Sequence, residues 1–223
     1  MKDQRLADRF AALGVPVQRG TLAAGPRAVF MDTSDDPVAV DSVGSGTEDA
    51  RDNAREADLN ASLLRVLVRD ATGEAREHLI AEIGIISPYR RQDNRIRAAV
   101  VRHDAGLSVR VRIDTVDRFQ GGERDVIFTS LTNANAIADA NANANANAVI
   151  GPLYAGWRRM NVAPSRARRL LVIVGHRRTF TVASTPEEEA AKDRYRSLFA
   201  TIHRLAGVGE ATVTGTTGWT FSA

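Results

Sequence analysis

The chain has 223 residues, of which 43% are hydrophobic and 26% charged, and it contains no cysteine. This size and composition predict a soluble globular chain with one large core rather than two large domains. The lack of cysteine excludes disulfides and thiolate metal sites. No apolar run approaches the ~20 residues of a membrane span, and the charged N-terminal segment is unlike a signal peptide. We therefore expect a cytoplasmic protein with no membrane partner.

The positive charge is unevenly distributed along the chain. The formal net charge is +3, and all but Lys2 and Lys192 of the 30 basic residues are arginine. Residues 157–180 carry seven arginines and no acidic residue. Codon bias accounts for the preference for arginine but not for this cluster, which favours a phosphate-bearing partner.

Hydrophobic periodicity predicts strands that alternate with helices. In chain order these are a strand at 27–31, a helix at about 53–70, a strand at 82–87, a helix at 89–103, strands at 108–113, 125–131 and 169–175, and a last helix at 186–205. Asp52 or Asn53 is the predicted cap of the first helix. Strands that are apolar on both faces and alternate with helices predict a parallel sheet covered on each side, which is the α/β class.

Three segments fall outside this alternation. Residues 1–26 are predicted to be a helical lead-in. Residues 133–148, in which Asn and Ala alternate, favour a disordered surface insertion, with an ordered Asn ladder as the alternative. Residues 207–223 are rich in Gly and Thr and predict a flexible tail, although Trp219 and Phe221 would allow it to dock on the body.

A polar loop and the downstream arginine cluster are the candidate chemical site. The loop comprises Gln120, Gly121, Gly122 and Glu123. Glycine lets a backbone approach a ligand closely, a carboxylate can hold a sugar hydroxyl, and a guanidinium can reach a phosphate. The combination indicates a polyphosphate ligand. The four histidines have no metal-ligand spacing, so no metal site is expected.

Three blocks carry a resemblance to a known family. IGIISPYRRQ at 83–92, TVDRFQGGERDVIFTSL at 115–131 and RRMNVAPSRARRLLVIVG at 158–175 resemble the second RecA-like domain of superfamily 1B helicases. These are ATP-driven, 5′-to-3′ translocating enzymes related to the nonsense-mediated-decay RNA helicase and the replication helicase-nuclease. The resemblance implies a RecA-like, P-loop NTPase-type fold over residues 27–206.

The resemblance also implies roles for individual residues. The nucleotide-binding set would be Gln120, Gly121, Gly122, Glu123 and Arg166, with Arg166 as the catalytic arginine finger. The nucleic-acid-binding set would be Ser87, Pro88, Tyr89, Thr115 and Val116. Two purely structural alternatives stay open. Glu123 would only form an ion pair with Arg124 at the surface, and Tyr89 would only pack at the start of a helix.

The chain departs from the family pattern in two respects. It contains no G-x-x-x-x-G-K-[ST] sequence and no acidic run for magnesium, so it lacks its own P-loop. ATP and Mg²⁺ are therefore expected only with a P-loop-bearing first domain, from the same gene or a separate chain. Pro164 stands where the family usually has leucine. A proline inside a helix costs ~3 kcal/mol, but in the first turn the cost largely vanishes.

Two main functions compete on this basis. The first is the second half of an ATP-dependent helicase, inactive alone and acting on single-stranded DNA or RNA. The second is a non-catalytic nucleic-acid- or protein-binding module derived from such a helicase. A degenerate product with no function of its own is the third. Whether the chain is an enzyme in its own right stays open, and we expect no activity from the chain alone.

Overall fold

A computed structural model describes residues 27–34, 36–43, 51–119, 121–134, 162–177, 179, 193, 196–197, 210–214 and 218–222. The strands are β1 (Arg27–Asp32), β2 (Asp41–Val43), β3 (Arg51–Asn53), β4 (Ile83–Ser87), β5 (Arg112–Thr115), β6 (Arg124–Ser130), β7 (Ala167–Gly175), β8 (Glu210–Thr214) and β9 (Gly218–Ser222). The helices are α1 (Ala54–Val68), α2 (Gly73–Ala81), α3 (Arg90–His103), α4 (Ala105–Ser108) and α5 (Val162–Ser165).

The described strands form one large sheet and one small hairpin. The large sheet has the order β5-β4-β6-β7-β1-β8-β9, and every neighbouring pair is parallel except β8 and β9. The hairpin pairs β2 with β3. This mostly parallel sheet with helices confirms the predicted α/β class.

Alternating side chains of the strands build a core on each face of the sheet. In β7, Leu170, Val172 and Val174 pack on the face covered by α1, α2 and α3, whereas Leu171 and Ile173 pack on the other face. Ala163 of α5 belongs to this second core. Helices therefore cover both faces, as predicted from strands that are apolar throughout.

The first predicted helix begins where the sequence indicates. Asn53 has an extended backbone, and its side chain accepts a hydrogen bond from the Glu56 backbone N–H at 3.0 Å. This is the geometry of an N-cap, because the side-chain oxygen satisfies an amide that has no partner within the helix. Of the two predicted candidates, Asn53 is the cap.

The strand predicted over 108–113 was wrong in its position. Residues 105–108 form α4, and the strand is Arg112–Thr115. Asp104 starts α4 by accepting a hydrogen bond from Gly106 N at 3.0 Å. Val109, which belonged to the predicted apolar face, is 84% exposed. Local capping of a short helix thus outweighed the alternating pattern.

Several predictions fall partly or wholly on residues outside the described ranges. These are the lead-in at 1–26, Gln120, most of the helix at 186–205 and most of the insertion at 133–148. Asn133 and Ala134, at the start of that insertion, are described and buried. The tail at 207–223 needs correction, because two of its segments are the strands β8 and β9, and β8 pairs with β1. Within the described part of the chain, no helix is long and apolar enough to cross a membrane.

Gly84 is a sensitive point of the second core. A Cβ added there would overlap Phe119 Cζ and lie 3.0 Å from Ile127 Cδ1, and both of these side chains are fully buried. We expect Gly84→Ala to lower the free energy of unfolding by about 1–3 kcal/mol, since overpacked cores must shift. Urea denaturation followed by circular dichroism would measure this. Gly73→Ala is not a suitable control because its φ is 55°, so Gly106→Ala, at an exposed position, is the comparison.

Candidate functional site at the amino edge of the sheet

The predicted loop and the predicted arginine meet at one edge of the sheet. Glu123 directly precedes β6, Arg166 directly precedes β7, and these two strands are parallel neighbours. The backbone N–H of Arg124 donates to the carbonyl oxygen of Arg166 at 3.0 Å. The amino-terminal ends of β6 and β7 therefore hold Glu123 and Arg166 side by side. We call this region the amino edge.

A tight turn shapes the loop that leads to Glu123. Gly121 has a φ of 78°, which residues with a side chain rarely adopt. The Gly122 backbone N–H donates to the Phe119 carbonyl oxygen at 3.2 Å and closes the turn. The Glu123 side chain that follows is exposed, and no hydrogen bond or ion pair involves its carboxylate within the described ranges. The contact with Arg124 is to the backbone oxygen of Glu123, at 2.7 Å, and not to the carboxylate.

The guanidinium of Arg166 has no acidic partner among the residues that the structure describes. Its Nη2 donates to Ser165 Oγ at 3.2 Å, and its Nε is buried with no hydrogen-bond partner. The Nε of Arg124 is likewise buried and unpartnered. Buried donors of this kind normally find an acceptor, so these two Nε atoms depart from the usual pairing.

Two neighbouring arginines differ from Arg166 because carboxylates neutralise them. Arg168 pairs with Glu82 and, at 2.9 Å, with Asp125, and Arg169 lies 3.6 Å from the same Asp125. Burial lowers the pKa of the Arg168 guanidinium, but Asp125 and Glu82 outweigh this effect and the pKa is raised. The register of the β6–β7 pairing shifts between Arg124 and Val126. Such a shift is typical of a β-bulge, and a bulge changes the direction of the side chains beside it.

Pro164 lies in the segment that leads to Arg166. The structure describes the helix α5 over Val162–Ser165 and no residue directly before Val162, so the effect of Pro164 stays a prediction. The Arg166 backbone N–H donates to the Ala163 carbonyl oxygen at 3.1 Å.

The predicted nucleic-acid residues lie at the opposite edge, where β4 and β5 end. The Val116 backbone N–H donates to the Ser87 carbonyl oxygen at 3.0 Å, which brings the two groups together. Thr115 is half-buried, whereas Ser87, Pro88, Tyr89 and Val116 are buried. The Tyr89 ring packs in the second core at 1% exposure. This burial favours the packing role left open for Tyr89 and leaves Thr115 as the accessible member of the set.

Ser87 has a partner that the sequence did not indicate. Its hydroxyl oxygen lies 2.6 Å from Asp93 Oδ1 and 2.9 Å from the Tyr89 carbonyl oxygen. Burial raises the pKa of Asp93 to about 7, and nearby Asp114 adds to the rise while the Ser87 hydrogen bond and Arg97 oppose it. The side chain of Ser87 is thus committed to the start of α3.

Sequence reasoning also missed a buried polar cluster around Glu56. Glu56 Oε2 accepts hydrogen bonds from Ser130 Oγ at 2.6 Å and from the Thr132 backbone N–H at 2.8 Å. Gln92 Nε2 donates to Ser130 Oγ at 2.9 Å and ties α3 to the same point. Burial raises the pKa of Glu56 to about 8, against the opposing effect of the Ser130 hydrogen bond. The sequence did contain a signal for this cluster, an acidic residue three positions after the capping Asn. That pattern normally indicates a solvent-exposed capping box rather than a buried carboxylate.

Comparison with known proteins places this geometry in a family. The AAA_12 family, described as an AAA domain, matches residues 5–178. The DNA replication ATP-dependent helicase/nuclease DNA2 of Mus musculus is 27% identical over 177 residues, which is 78% of this chain and 14% of the mouse protein. The DNA polymerase alpha-associated DNA helicase A of Saccharomyces cerevisiae is 31% identical over 177 residues, covering 77% of this chain and 24% of that protein.

A third relative matches about half of the chain. Helicase SEN1 of Saccharomyces cerevisiae is 34% identical over 116 residues, which is 51% of this chain and 5% of that protein. The chain therefore spans less than a quarter of the length of each of these three relatives. Its mostly parallel sheet with helices is the RecA-like α/β fold. The chain belongs to the AAA_12 family and is a helicase-family domain homologous to superfamily 1 helicases.

Proposed function

We propose that the chain is the second RecA-like half of an ATP-dependent superfamily 1 helicase. It supplies an arginine finger and one wall of a nucleotide site, and it acts only with a P-loop-bearing first domain. The observation that carries the proposal is the meeting of Glu123 and Arg166 at the amino edge, with the Arg166 guanidinium free of any described carboxylate.

The donors at this edge fit a polyphosphate. The Arg166 guanidinium is paired with no described carboxylate, and the planar arginine fork matches phosphate oxygens. Arg168 supports this assignment by contrast, because its charge is already paired with Glu82 and Asp125 within the protein. ATP, with Mg²⁺ held by the partner domain, would supply the phosphoryl group that is transferred to water.

Each residue of the edge has a role in this proposal. Gly121 and Gly122 let the backbone approach the nucleotide, and the exposed Glu123 carboxylate accepts a hydrogen bond from a ribose hydroxyl. Arg166 points a fixed positive charge at the phosphate, where negative charge builds up in the transition state. Gln120 belongs to the same loop in sequence and completes the proposed nucleotide-binding set.

The proposed nucleic-acid track lies at the other edge. β6 has seven residues, so the two edges are about 20 Å apart. Thr115 is the proposed side-chain contact to the backbone of single-stranded DNA or RNA, and the buried Ser87, Pro88, Tyr89 and Val116 would shape the surface beneath it. Contacts of this type position a strand without reading its sequence.

ATP turnover with and without a partner tests the proposal. The chain alone is expected to show no turnover and no unwinding. Mixing it with a P-loop-bearing first domain, taken from a helicase relative or co-expressed, should give turnover that single-stranded nucleic acid stimulates. Turnover by the pure chain that Arg166→Ala abolishes would refute the need for a partner. Salt-dependent strand binding that neither ATP nor the partner alters would instead identify a non-catalytic binding module.

A further inference from the structure

Arg112 contacts two residues at the start of the glycine loop, although it lies outside the three motif blocks. Its guanidinium carbon lies 4.4 Å from the centre of the Phe119 ring, in the geometry of a cation–π contact. Its Nη2 donates to the Arg118 carbonyl oxygen at 2.6 Å. Its Nη1 lies 2.9 Å from the point where a Cβ on Gly122 would be. One guanidinium therefore contacts Arg118 and Phe119 and lies beside the position that a Gly122 side chain would take.

Phe119 and Gly122 also have contacts of their own. Phe119 is fully buried and packs on Gly84 of β4. The Phe119 backbone N–H donates to the Thr115 carbonyl oxygen at 3.0 Å, and Gly122 N–H donates back to the Phe119 carbonyl. The Phe119 ring is thus a rigid platform, and the guanidinium holds the loop against that platform.

We propose that Arg112 is the positioning residue of the nucleotide loop: it fixes the Arg118–Gly122 turn, and through that turn it sets the place of Glu123 beside Arg166. This inference rests on the proposed function for its link to ATP, but its structural part stands without it. It also predicts that a side chain at position 122 would push the guanidinium aside, because a Cβ there would lie 2.9 Å from Arg112 Nη1.

The chemistry of arginine suits this role better than that of lysine. A planar guanidinium can stack on a ring while its N–H groups donate in the same plane to a carbonyl. An ammonium group offers a point charge and cannot keep both contacts. Arg112 is also partly solvated, with its side chain 37% exposed, so its removal leaves no buried cavity.

A double-mutant cycle on the full chain tests the structural part. The variants are Arg112→Ala, Gly122→Ala and both together, and the readout is amide hydrogen exchange by NMR. Arg112→Ala should speed exchange of the Gly122 N–H about tenfold, while the Ile127 N–H in the middle of β6 keeps its rate. Gly122→Ala should similarly speed exchange of the backbone N–H at position 122, and in the Arg112→Ala background it should add less than about twofold. Arg110→Ala is the matched control, because Arg110 is exposed and pairs with Glu77 instead.

Kinetics of the two-domain mixture test the link to nucleotide. Arg112→Ala should raise the KM for ATP about fivefold and change kcat less than about twofold, because Arg166 keeps its own backbone anchor. Unchanged Gly122 exchange in Arg112→Ala, or additive effects in the cycle, would overturn the inference. An altered exchange rate with an unaltered KM would overturn its link to ATP. A wild-type mixture without ATP turnover would refute the proposed function, and the exchange data would still decide the role of Arg112.

Discussion

Replacing Arg166 by alanine is expected to lower the kcat for ATP hydrolysis of the two-domain enzyme by ~10³-fold or more, the lower part of the range for arginine fingers. In the proposed role, the guanidinium acts on charge that develops only in the transition state, so we expect its loss to lower kcat rather than ATP affinity. Arg166→Lys should recover little, since an ammonium group lacks the planar fork. Steady-state ATP turnover with a P-loop-bearing partner measures the effect.

Arg102→Ala is the matched control for this experiment. Arg102 is an exposed arginine on α3 whose guanidinium pairs with Asp58, and it is remote in sequence from the amino edge. The control should keep turnover within about twofold of the wild type, as expected for a surface ion pair. A loss below tenfold in Arg166→Ala, with the partner present and bound, would remove Arg166 from the chemistry.

The stability of the chain is expected to fall as the pH rises towards 8, and Glu56→Gln should remove the part of this fall that lies between about pH 7 and 8. The pKa of Glu56 is about 8 in the folded chain against an ordinary 4.5, because burial penalises the charged carboxylate. The folded state therefore binds more protons than the unfolded state between these values, and its stability decreases through this window. The full effect is on the order of a few kcal/mol. Urea unfolding at a series of pH values measures it.

Asp93 titrates in an overlapping window and has to be separated from Glu56. Its pKa is raised from 3.8 to about 7, so its contribution is lost as the pH rises to about 7. The interval from pH 7 to 8 is therefore the diagnostic one for Glu56. Glu56→Gln keeps an acceptor for Ser130 and Thr132 without a charge, and Glu77→Gln at an exposed position is the control. A wild-type chain whose stability is flat from pH 5 to 8 would contradict the buried, protonated state.

The strands and the fold class could be predicted from the local sequence pattern, because a strand that is buried on both faces appears in the sequence as a continuous apolar run. RLLVIVG over 169–175 was predicted as a strand, and β7 extends it by two residues to Ala167. The helix α1 was predicted with its cap at Asp52 or Asn53, and the cap is Asn53, since capping depends on neighbours within one turn. The strand at 108–113 was misplaced because an equally local signal, the Asp104 cap, competed with the alternation.

The candidate site depended on long-range contacts that a local pattern does not contain. That β6 and β7 are neighbours, and that Glu123 and Arg166 therefore meet, was expected from the resemblance between whole motif blocks. Nothing in the residue types distinguished Arg166 from Arg168, whereas the acidic partners of Arg168 do. The burial of Glu56 was unpredictable for the same reason, because its donors Ser130 and Thr132 are 74 and 76 residues away.

The path of the chain between the two edges of the sheet has a mechanical consequence. Seven residues, 116–122, connect Thr115 at one edge of the sheet to Glu123 at the amino edge. Midway along them, Phe119 packs against Gly84. Because Phe119 is fully buried, this short connection has few free residues to absorb movement. In the proposed function, a displacement of the nucleic-acid backbone at Thr115 is therefore expected to reach Glu123 beside the nucleotide, and a displacement at Glu123 is expected to reach Thr115.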